Sequence, residues 1–331
     1  MKFNFQLLFR AVTLTLLSSL LYFIALVYQV YFEQHKLKPE SLKDMPVLSR
    51  ILWVPVCSGF GLFALKMQIA NAARPILHLV GKDRNNKELQ EARVLKASLA
   101  LYKLCYYTGM TIWGYIILKD TSIFPTWLGG TGSLKNCFKD YPFAPQFPNF
   151  LVYSLVQMGY YFEETVDHNF FRPKSSDYWE MNLHHLLTIC LFGGMIAMNG
   201  VSSGTFCCFI HCIADIFTAS SRILSHTIYK KATVVSFASC ILVWIFTRNV
   251  VIPVLCYECW SGYSYPASLK QFDIANTILV SFLTILCFLH LYWTGLFINM
   301  IKKAVKSGDT ENTQSKSVEN DKVNEAHIKI N

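Results

Sequence analysis

The chain has 331 residues, of which 53% are hydrophobic and only 15% are charged, and its mean hydropathy is +0.33. Soluble domains carry charge on roughly a quarter of their residues, so this composition excludes an ordinary soluble globular domain. The net charge of +9 fits basic loops beside a membrane and requires no nucleic-acid partner.

Three long runs of the sequence, 11–32, 186–210 and 274–301, contain no Asp, Glu, Lys or Arg. A helix needs about 20 predominantly apolar residues to cross a bilayer, and these runs lack the regular polar stripe of a soluble amphipathic helix. The pattern predicts an all-α, polytopic membrane bundle. We expect about eight transmembrane helices, at 11–32, 51–70, 97–118, 149–167, 182–199, 203–222, 232–255 and 274–300.

The first predicted helix is expected to be retained, because its apolar stretch exceeds the roughly 7–15 residues of a signal peptide. Lys66 and Lys103 interrupt or border the second and third helices, where long side chains can reach the membrane interface. The eleven cysteines lie mostly inside apolar runs. That placement indicates small hydrophobic residues rather than a disulfide framework.

The distribution of basic residues predicts the orientation. If the N-terminus is cytosolic, the cytosolic loops contain about twice as many Lys and Arg residues as the opposite loops, so both termini are expected in the cytosol. The short, glycine-containing segment 199–203 predicts a tight hairpin on the far side. The mixed-charge segment 303–331 has few apolar residues and predicts a disordered cytosolic tail.

A few ionisable residues lie inside the predicted helices, where each costs about 2.5–3.5 kcal/mol on insertion scales. His184 and His185 begin the fifth helix. His211 and Asp215 are four residues apart in the sixth helix, so they share one face. Because the hairpin makes these two helices neighbours, we expect the three imidazoles and the carboxylate to converge in a pocket open towards the cytosol. Arg248 lies in the seventh helix.

Several kinds of chemistry suit this set of side chains. Imidazole transfers protons near neutral pH and can act as a nucleophile, and a carboxylate can hold a histidine in one tautomer. The set therefore predicts acyl or proton transfer, but three histidines and an aspartate equally suit a zinc or iron site. Arg248 is interpreted either as a structural partner of Asp215 or as a substrate-binding residue, and His290 as a core residue.

Two of these segments carry a family resemblance. The sequence DYWEMNLHH at 177–185 resembles the D-F-x-E-M-x-x-H-H segment of ceramide synthases, which belong to the TLC-domain membrane family. The sequence HCIAD at 211–215 resembles their H-D-x-x-D segment. KDYPF at 139–143, and Phe246-Thr247-Arg248 followed by Pro253, are also similar to the family pattern. The resemblance spans about 90–300.

The resemblance implies a reaction and an architecture. A fatty acyl-CoA would N-acylate a sphingoid long-chain base in the endoplasmic reticulum membrane, giving ceramide and CoA, with the acyl-CoA as co-substrate and no other cofactor or metal. A six-helix, barrel-like TLC core at 91–302 would follow an N-terminal two-helix membrane region and cytosolic linker at 1–90. The resemblance is also compatible with a homo- or heterodimer.

The resemblance also implies roles for residues. One of His184 and His185 would take the acyl group or act as general base, His211 would assist proton transfer, and Asp215 would hold an imidazole in the required tautomer. The remaining predicted site residues bind substrate, and they are Arg248, Asp177, Arg222 and Tyr161. Basic residues on the cytosolic side would steer the polyanionic CoA, namely Arg172, Lys174, Arg222, Lys230 and Lys231.

One position departs from the family pattern, because Cys212 stands where the H-D-x-x-D segment has its first aspartate. A thiol supplies neither the charge nor the acceptor geometry of a carboxylate. A non-catalytic TLC-domain protein, acting in lipid sensing or protein translocation, is therefore an alternative. A membrane hydroxylase or desaturase would need more histidine clusters than this chain contains, and a transporter relay would be expected to show internal repeats.

Overall fold

A computed structural model describes residues 5–37, 48–83, 85–172, 174, 177–261 and 270–307. Within these ranges the chain forms ten α-helices and no β-strand. They are α1 (Phe5–Leu37), α2 (Leu48–Ile51), α3 (Trp53–Val80), α4 (Lys87–Leu118), α5 (Phe150–Val166), α6 (Tyr178–Ala197), α7 (Val201–Ser225), α8 (Lys230–Trp244), α9 (Ile252–Ser261) and α10 (Lys270–Ser307). The predicted tail starts inside α10, and its remainder from 308 lies outside the described residues.

The fold class is confirmed as an all-α polytopic membrane bundle. Five described stretches are long and apolar enough to cross a membrane, and they match the predicted first, second, sixth, seventh and eighth crossings: Phe5–Leu37, Trp53–Val80, Val201–Ser225, Lys230–Ser261 and Gln271–Lys302. The other three predicted crossings lie in α4, α5 and α6. α5 has only 17 residues, while Lys103 in α4 and the His184-His185 pair in α6 interrupt the apolar runs of those helices.

Contacts between chain segments define the two ends of the bundle. Gln6 at the start of α1 donates to Glu180 at the start of α6 (Nε2–Oε1 2.7 Å), and the backbone N–H of Lys82 donates to the carbonyl of His226 (3.2 Å). We call this end the proximal face. At the opposite, distal face, Gln34 of α1 donates to the carbonyl of Met198 (3.3 Å). The predicted tight hairpin is confirmed there, because α6 ends at Ala197 and α7 begins at Val201.

The start of α6 corrects one prediction. Residues 178–181 were expected in a loop before a helix at 182, but they form the first turn of α6. The hydropathy pattern missed this turn because it is polar, whereas tertiary contacts bury it. Glu180 is 2% exposed and accepts hydrogen bonds from Gln6 and Tyr292. His184 therefore lies almost two turns inside the helix rather than at its beginning.

Lys66 corrects a second expectation. Its side chain is 2% exposed and does not extend to the interface. Its ammonium group lies 2.8 Å from a carboxylate oxygen of Glu163 and 2.8 Å from one of Asp167. Lys103 and Arg172 pair with the adjacent Glu164, so three cations and three carboxylates balance. This network joins α3 and α4 to the end of α5, because buried charges require partners of opposite sign.

A π-helical segment, Ile245–Val251, joins α8 to α9 and makes them one continuous crossing. Pro253 contributes to this irregularity, because it lacks the N–H that an α-helix would direct to the carbonyl of residue 249. A π-helical segment within an α-helix accommodates an extra residue in the turn, and such segments often occur at functional sites. Here the π-helical segment contains Arg248, whose guanidinium group points into the bundle.

Several of the helices that follow α4 line a half-open apolar cavity. Its walls come from α5, α6, α7, α9 and α10, while α4 packs behind them against α7. Phe138 and Tyr141, from the segment between α4 and α5, line it at the distal end. Two of the predicted site residues, Tyr161 and His211, line this cavity.

Candidate active site

His211 on α7 lies at the proximal end of the cavity, together with Tyr161 of α5, which packs against His184 and His185. On α7 the lining residues extend from Ser203 to His211 and Cys212, and on α6 they extend from Met195 to Thr188. Nine residues of helix correspond to about 13–14 Å, which is a large part of the apolar layer of a bilayer. The lining of the cavity therefore extends along nearly half of that layer, with His211 at one end.

An ion pair anchors this end of the cavity. The Nη2 atom of Arg248 donates to Oδ1 of Asp215 (2.8 Å) and to the carbonyl of His211 (3.1 Å). Arg248 is 3% exposed, and its Cζ lies 5.2 Å from the centre of the Trp244 ring. Its Nε and Nη1 atoms have no hydrogen-bond partner among the described residues. Two buried donor atoms of Arg248, which itself does not line the cavity, are thus left without partners.

The tautomer of His211 is set by the backbone rather than by Asp215. The Nδ1 atom lies 2.7 Å from the carbonyl of Cys207, which can only accept a hydrogen bond, so Nδ1 carries the proton. The Nε2 atom, which is then the basic one, has no partner among the described residues. The expected bond from an imidazole to Asp215 is replaced by the bond from Arg248.

His184 and His185 lie next to each other, with ring centres 5.6 Å apart. The ring of Tyr161 packs against both, at 5.9 Å from His184 and 6.3 Å from His185, and Tyr161 also lines the cavity. His185 is buried, whereas His184 is partly exposed, and the Nδ1 atom of each has no partner in the described structure. The structure therefore brings Tyr161 to the predicted histidines.

The two other predicted substrate-binding residues lie further out. Asp177 and Arg222 are exposed at the proximal ends of α6 and α7. Each is seven residues, or about 10 Å along its helix, from the nearest predicted catalytic residue of that helix. The structure places both at the mouth of the site and neither beside the imidazoles.

Four residues of the site were not predicted from the sequence. His168 packs against His185 (ring centres 5.7 Å apart), Trp293 against His184 (5.5 Å) and His290 against His211 (5.3 Å). Trp244 stacks with Arg248. The three contacts of His168, Trp293 and His290 join different elements, so no local spacing indicates them, whereas Trp244 is four residues before Arg248 in a continuous helical stretch. The short HLYW sequence at 290–293, with a histidine in an apolar run, is the one available signal.

Metal binding was an open alternative for the histidines. Among the described residues, the group of metal-ligand side chains with atoms within 4.8 Å of one another consists of Glu163, Glu164 and Asp167. Lys66, Lys103 and Arg172 already form ion pairs with these carboxylates. A metal ion there would have to displace three cations, and the geometry gives no support to a site built from the histidines.

The proximal loops concentrate positive charge. Burial, followed by the neighbouring cations Arg93 and Lys96, lowers the pKa of His226 to about 4, and Arg222 acts in the same direction. The mouth of the site next to Arg222 is therefore a positive surface. Such a surface attracts polyanionic ligands at the face where the histidines are most accessible.

Cys212 is turned away from the ion pair. Its sulfur accepts a hydrogen bond from Nε2 of Gln157 (3.0 Å), and the same amide group contacts the hydroxyl of Tyr153 (3.3 Å). Cys212 is 2% exposed. Cys212, the residue that departs from the family pattern, thus contacts α5. It is one residue after His211 in α7, so it does not lie on the face that His211 and Asp215 share.

Comparison with known proteins identifies the family. The TLC domain (TRAM, LAG1 and CLN8) matches residues 96–299, which is more than half of the chain. The chain belongs to the TLC-domain family. The matched residues include the helices that surround the cavity together with both histidine segments, so the site described above lies within the TLC domain.

Individual relatives within the TLC-domain family match most of the chain. Ceramide synthase hyl-2 of Caenorhabditis elegans is 25% identical over 297 residues, covering 84% of this chain and 87% of the relative. Ceramide synthase hyl-1 of the same organism is 25% identical over 287 residues, covering 82% of this chain and 74% of the relative. Ceramide synthase 3 of Mus musculus is 24% identical over 233 residues, covering 69% of this chain and 57% of the relative.

Proposed function

We propose that this protein is a ceramide synthase, which transfers the acyl group of a fatty acyl-CoA to the amine of a sphingoid long-chain base. The observation that supports this most is the position of His211 at one end of an apolar cavity, whose lining also includes Tyr161, the residue that packs against His184 and His185. An acyl chain in the cavity would place its thioester beside His211. Relatives over most of the chain are named ceramide synthases.

The proposed reaction needs a base for the proton of the amine, hydrogen-bond donors for the carbonyl oxygen of the thioester, and an acid for the sulfur of CoA. His184 or His185 removes a proton as the amine attacks the thioester carbonyl. The free N–H groups of Arg248 stabilise the negative charge that develops on the carbonyl oxygen. The C–N bond forms, the C–S bond breaks, and the proton passes to the sulfur of CoA with the assistance of His211.

The proposal also orients the protein in the membrane. CoA is polyanionic and remains in the cytosol, so the positive proximal face would be cytosolic, with Arg222 at the mouth. Both termini would then be cytosolic, in the endoplasmic reticulum membrane. In a non-catalytic TLC-domain protein, which is the alternative, the cavity would not serve a reaction. The assay below distinguishes the ceramide synthase from this alternative.

The test is N-acylation in membranes that lack endogenous ceramide synthesis. The protein is supplied with sphinganine and acyl-CoAs of several lengths, and ceramide is followed by mass spectrometry. We expect product from the unaltered chain. In His184→Ala and His185→Ala we expect at least about a 100-fold loss, because general acid–base catalysis contributes about 10²–10⁴-fold.

The matched control is His78→Gln. His78 lies on α3, where its Nε2 is 3.2 Å from Glu91 and both side chains are partly exposed, far from the cavity lining. It should retain the activity of the unaltered chain. A folded protein that makes no ceramide would favour the non-catalytic alternative, and full activity in a His184→Ala, His185→Ala double variant would contradict the mechanism.

Cys212 allows a separate prediction. Cys212→Ala should keep acyltransferase activity within about threefold, because the thiol contacts Gln157 and its loss costs about 1 kcal/mol of packing and hydrogen bonding. Cys212→Asp should lower stability without raising activity, because it buries a carboxylate one turn from Asp215. Activity and thermal unfolding are measured on the same preparations. An increase in activity in Cys212→Asp would show instead that the thiol limits catalysis.

A further inference from the structure

Tyr141 lies at the distal end of the cavity, opposite His211, and the proposed reaction gives it no role. It belongs to the sequence KDYPF at 139–143, one of the segments that carry the family resemblance. Its side chain lines the cavity and is 8% exposed. A buried aromatic ring at the end of a cavity limits the length of the molecule that the cavity accepts.

The ring of Tyr141 bridges the α6–α7 hairpin and α10. Its centre lies 5.3 Å from that of Phe272, near the start of α10, and 6.2 Å from that of Phe138, which also lines the cavity. At the hairpin, a Cβ atom on Gly200 would lie 3.5 Å from a carbon of the Tyr141 ring. The ring therefore forms a wall at the distal end of the cavity, and we call it the distal wall.

Side-chain hydrogen bonds hold the segment 141–146 against the hairpin. The Nδ2 atom of Asn199 donates to the carbonyls of Pro142 (2.7 Å) and Ala144 (2.9 Å). The Nε2 atom of Gln146 donates to Oδ1 of Asn199 (2.6 Å). Buried polar networks whose members are paired rigidify the segments that they join. The position of the distal wall relative to α6 and α7 is thus fixed by the fold.

The depth between the distal wall and His211 is fixed as well. Gly200, beside the wall, precedes His211 by eleven residues at the start of α7, which corresponds to about 16 Å along the helix. The proposed function places the thioester of the acyl-CoA beside His211. An acyl chain in the cavity then extends towards the distal wall, and its methyl end meets Tyr141 when the chain is long enough.

We propose that Tyr141 is a specificity-determining residue that sets the longest acyl chain transferred efficiently, an inference that rests on the proposed function. Acyl chains that end before the ring react without contacting it. A longer chain has to displace the ring or hold its thioester away from His211. Either effect lowers kcat/KM, because one extra methylene in a hydrophobic pocket changes kcat/KM by about 10–200-fold.

The experiment measures kcat/KM of purified protein in lipid nanodiscs with sphinganine and saturated acyl-CoAs from palmitoyl-CoA to hexacosanoyl-CoA. In Tyr141→Ala the ratio of kcat/KM for the longest to that for the shortest acyl-CoA should rise by about tenfold or more. Tyr141→Leu should raise the ratio less, with a smaller loss of packing. Tyr141→Trp should lower the ratio, because the indole ring is larger than the phenol ring.

The matched control is Tyr115→Ala, which removes a tyrosine near the end of α4 that is 49% exposed and does not line the cavity. It should leave the acyl-length profile unchanged. The thermal unfolding of each variant, followed by size-exclusion chromatography, reports folding separately. Shifts of opposite sign in Tyr141→Leu and Tyr141→Trp cannot come from a general loss of folded protein.

A second series varies the length of the sphingoid base at one acyl-CoA, and the variants of Tyr141 should not change that profile. An acyl-length profile that stays the same in all folded variants of Tyr141 would overturn this inference and leave the proposed function intact. A shift confined to the sphingoid-base series would do the same. An unaltered chain that is folded but makes no ceramide would overturn the proposed function and, with it, this inference.

Discussion

Replacing Arg248 by lysine should reduce ceramide formation by about 10²–10³-fold while the protein remains folded. Lysine keeps the charge beside Asp215 but lacks the planar guanidinium, in which Nη2 alone donates to both Asp215 and the His211 carbonyl. The substitution therefore removes Nε and Nη1, the two unpartnered donor atoms expected to stabilise the developing oxyanion, and one such donor is worth about 10²–10³ in kcat. The measurement is kcat with sphinganine and acyl-CoA.

A second substitution separates catalysis from stability. Arg248→Met leaves Asp215 without its partner, which should destabilise the fold by the lower part of about 3–5 kcal/mol, since Asp215 retains 19% exposure. Arg74→Lys, at an exposed position on α3, is the control and should change neither property. Activity close to normal in Arg248→Lys would show that the guanidinium has only a structural role.

Replacing Lys66 by methionine should cause the largest loss of stability in the chain. The substitution leaves Glu163 and Asp167 buried without their common cation, and breaking a buried ion pair costs about 3–5 kcal/mol. Because a typical domain is stable by only about 5–15 kcal/mol, much of the protein should fail to fold. The thermal unfolding midpoint and the monodisperse yield after solubilisation measure this effect.

The control for Lys66→Met is Lys87→Met, which removes an exposed cation at the start of α4 and should have little effect. Adding Glu163→Gln to Lys66→Met removes one of the stranded charges and should recover part of the loss. An unfolding midpoint of Lys66→Met equal to that of the unaltered chain would show that the network does not hold α3 to α5.

The sequence by itself determined the membrane class, the approximate places of the crossings and the hairpin between α6 and α7. These features depend on local hydropathy and on the turn residues of 199–203, which act over one helix at a time. It also indicated that His184, His185, His211 and Asp215 belong to one site. That prediction was possible because a short connection forces neighbouring helices to lie together.

Only the tertiary structure decided which atoms pair within that site. Asp215 binds Arg248 rather than an imidazole, the carbonyl of Cys207 sets the tautomer of His211, and His290 packs against His211. Lys66 is buried in an ion network instead of extending to the membrane surface. These contacts join distant helices and depend on the rotation of each helix about its axis, which packing of the whole bundle decides.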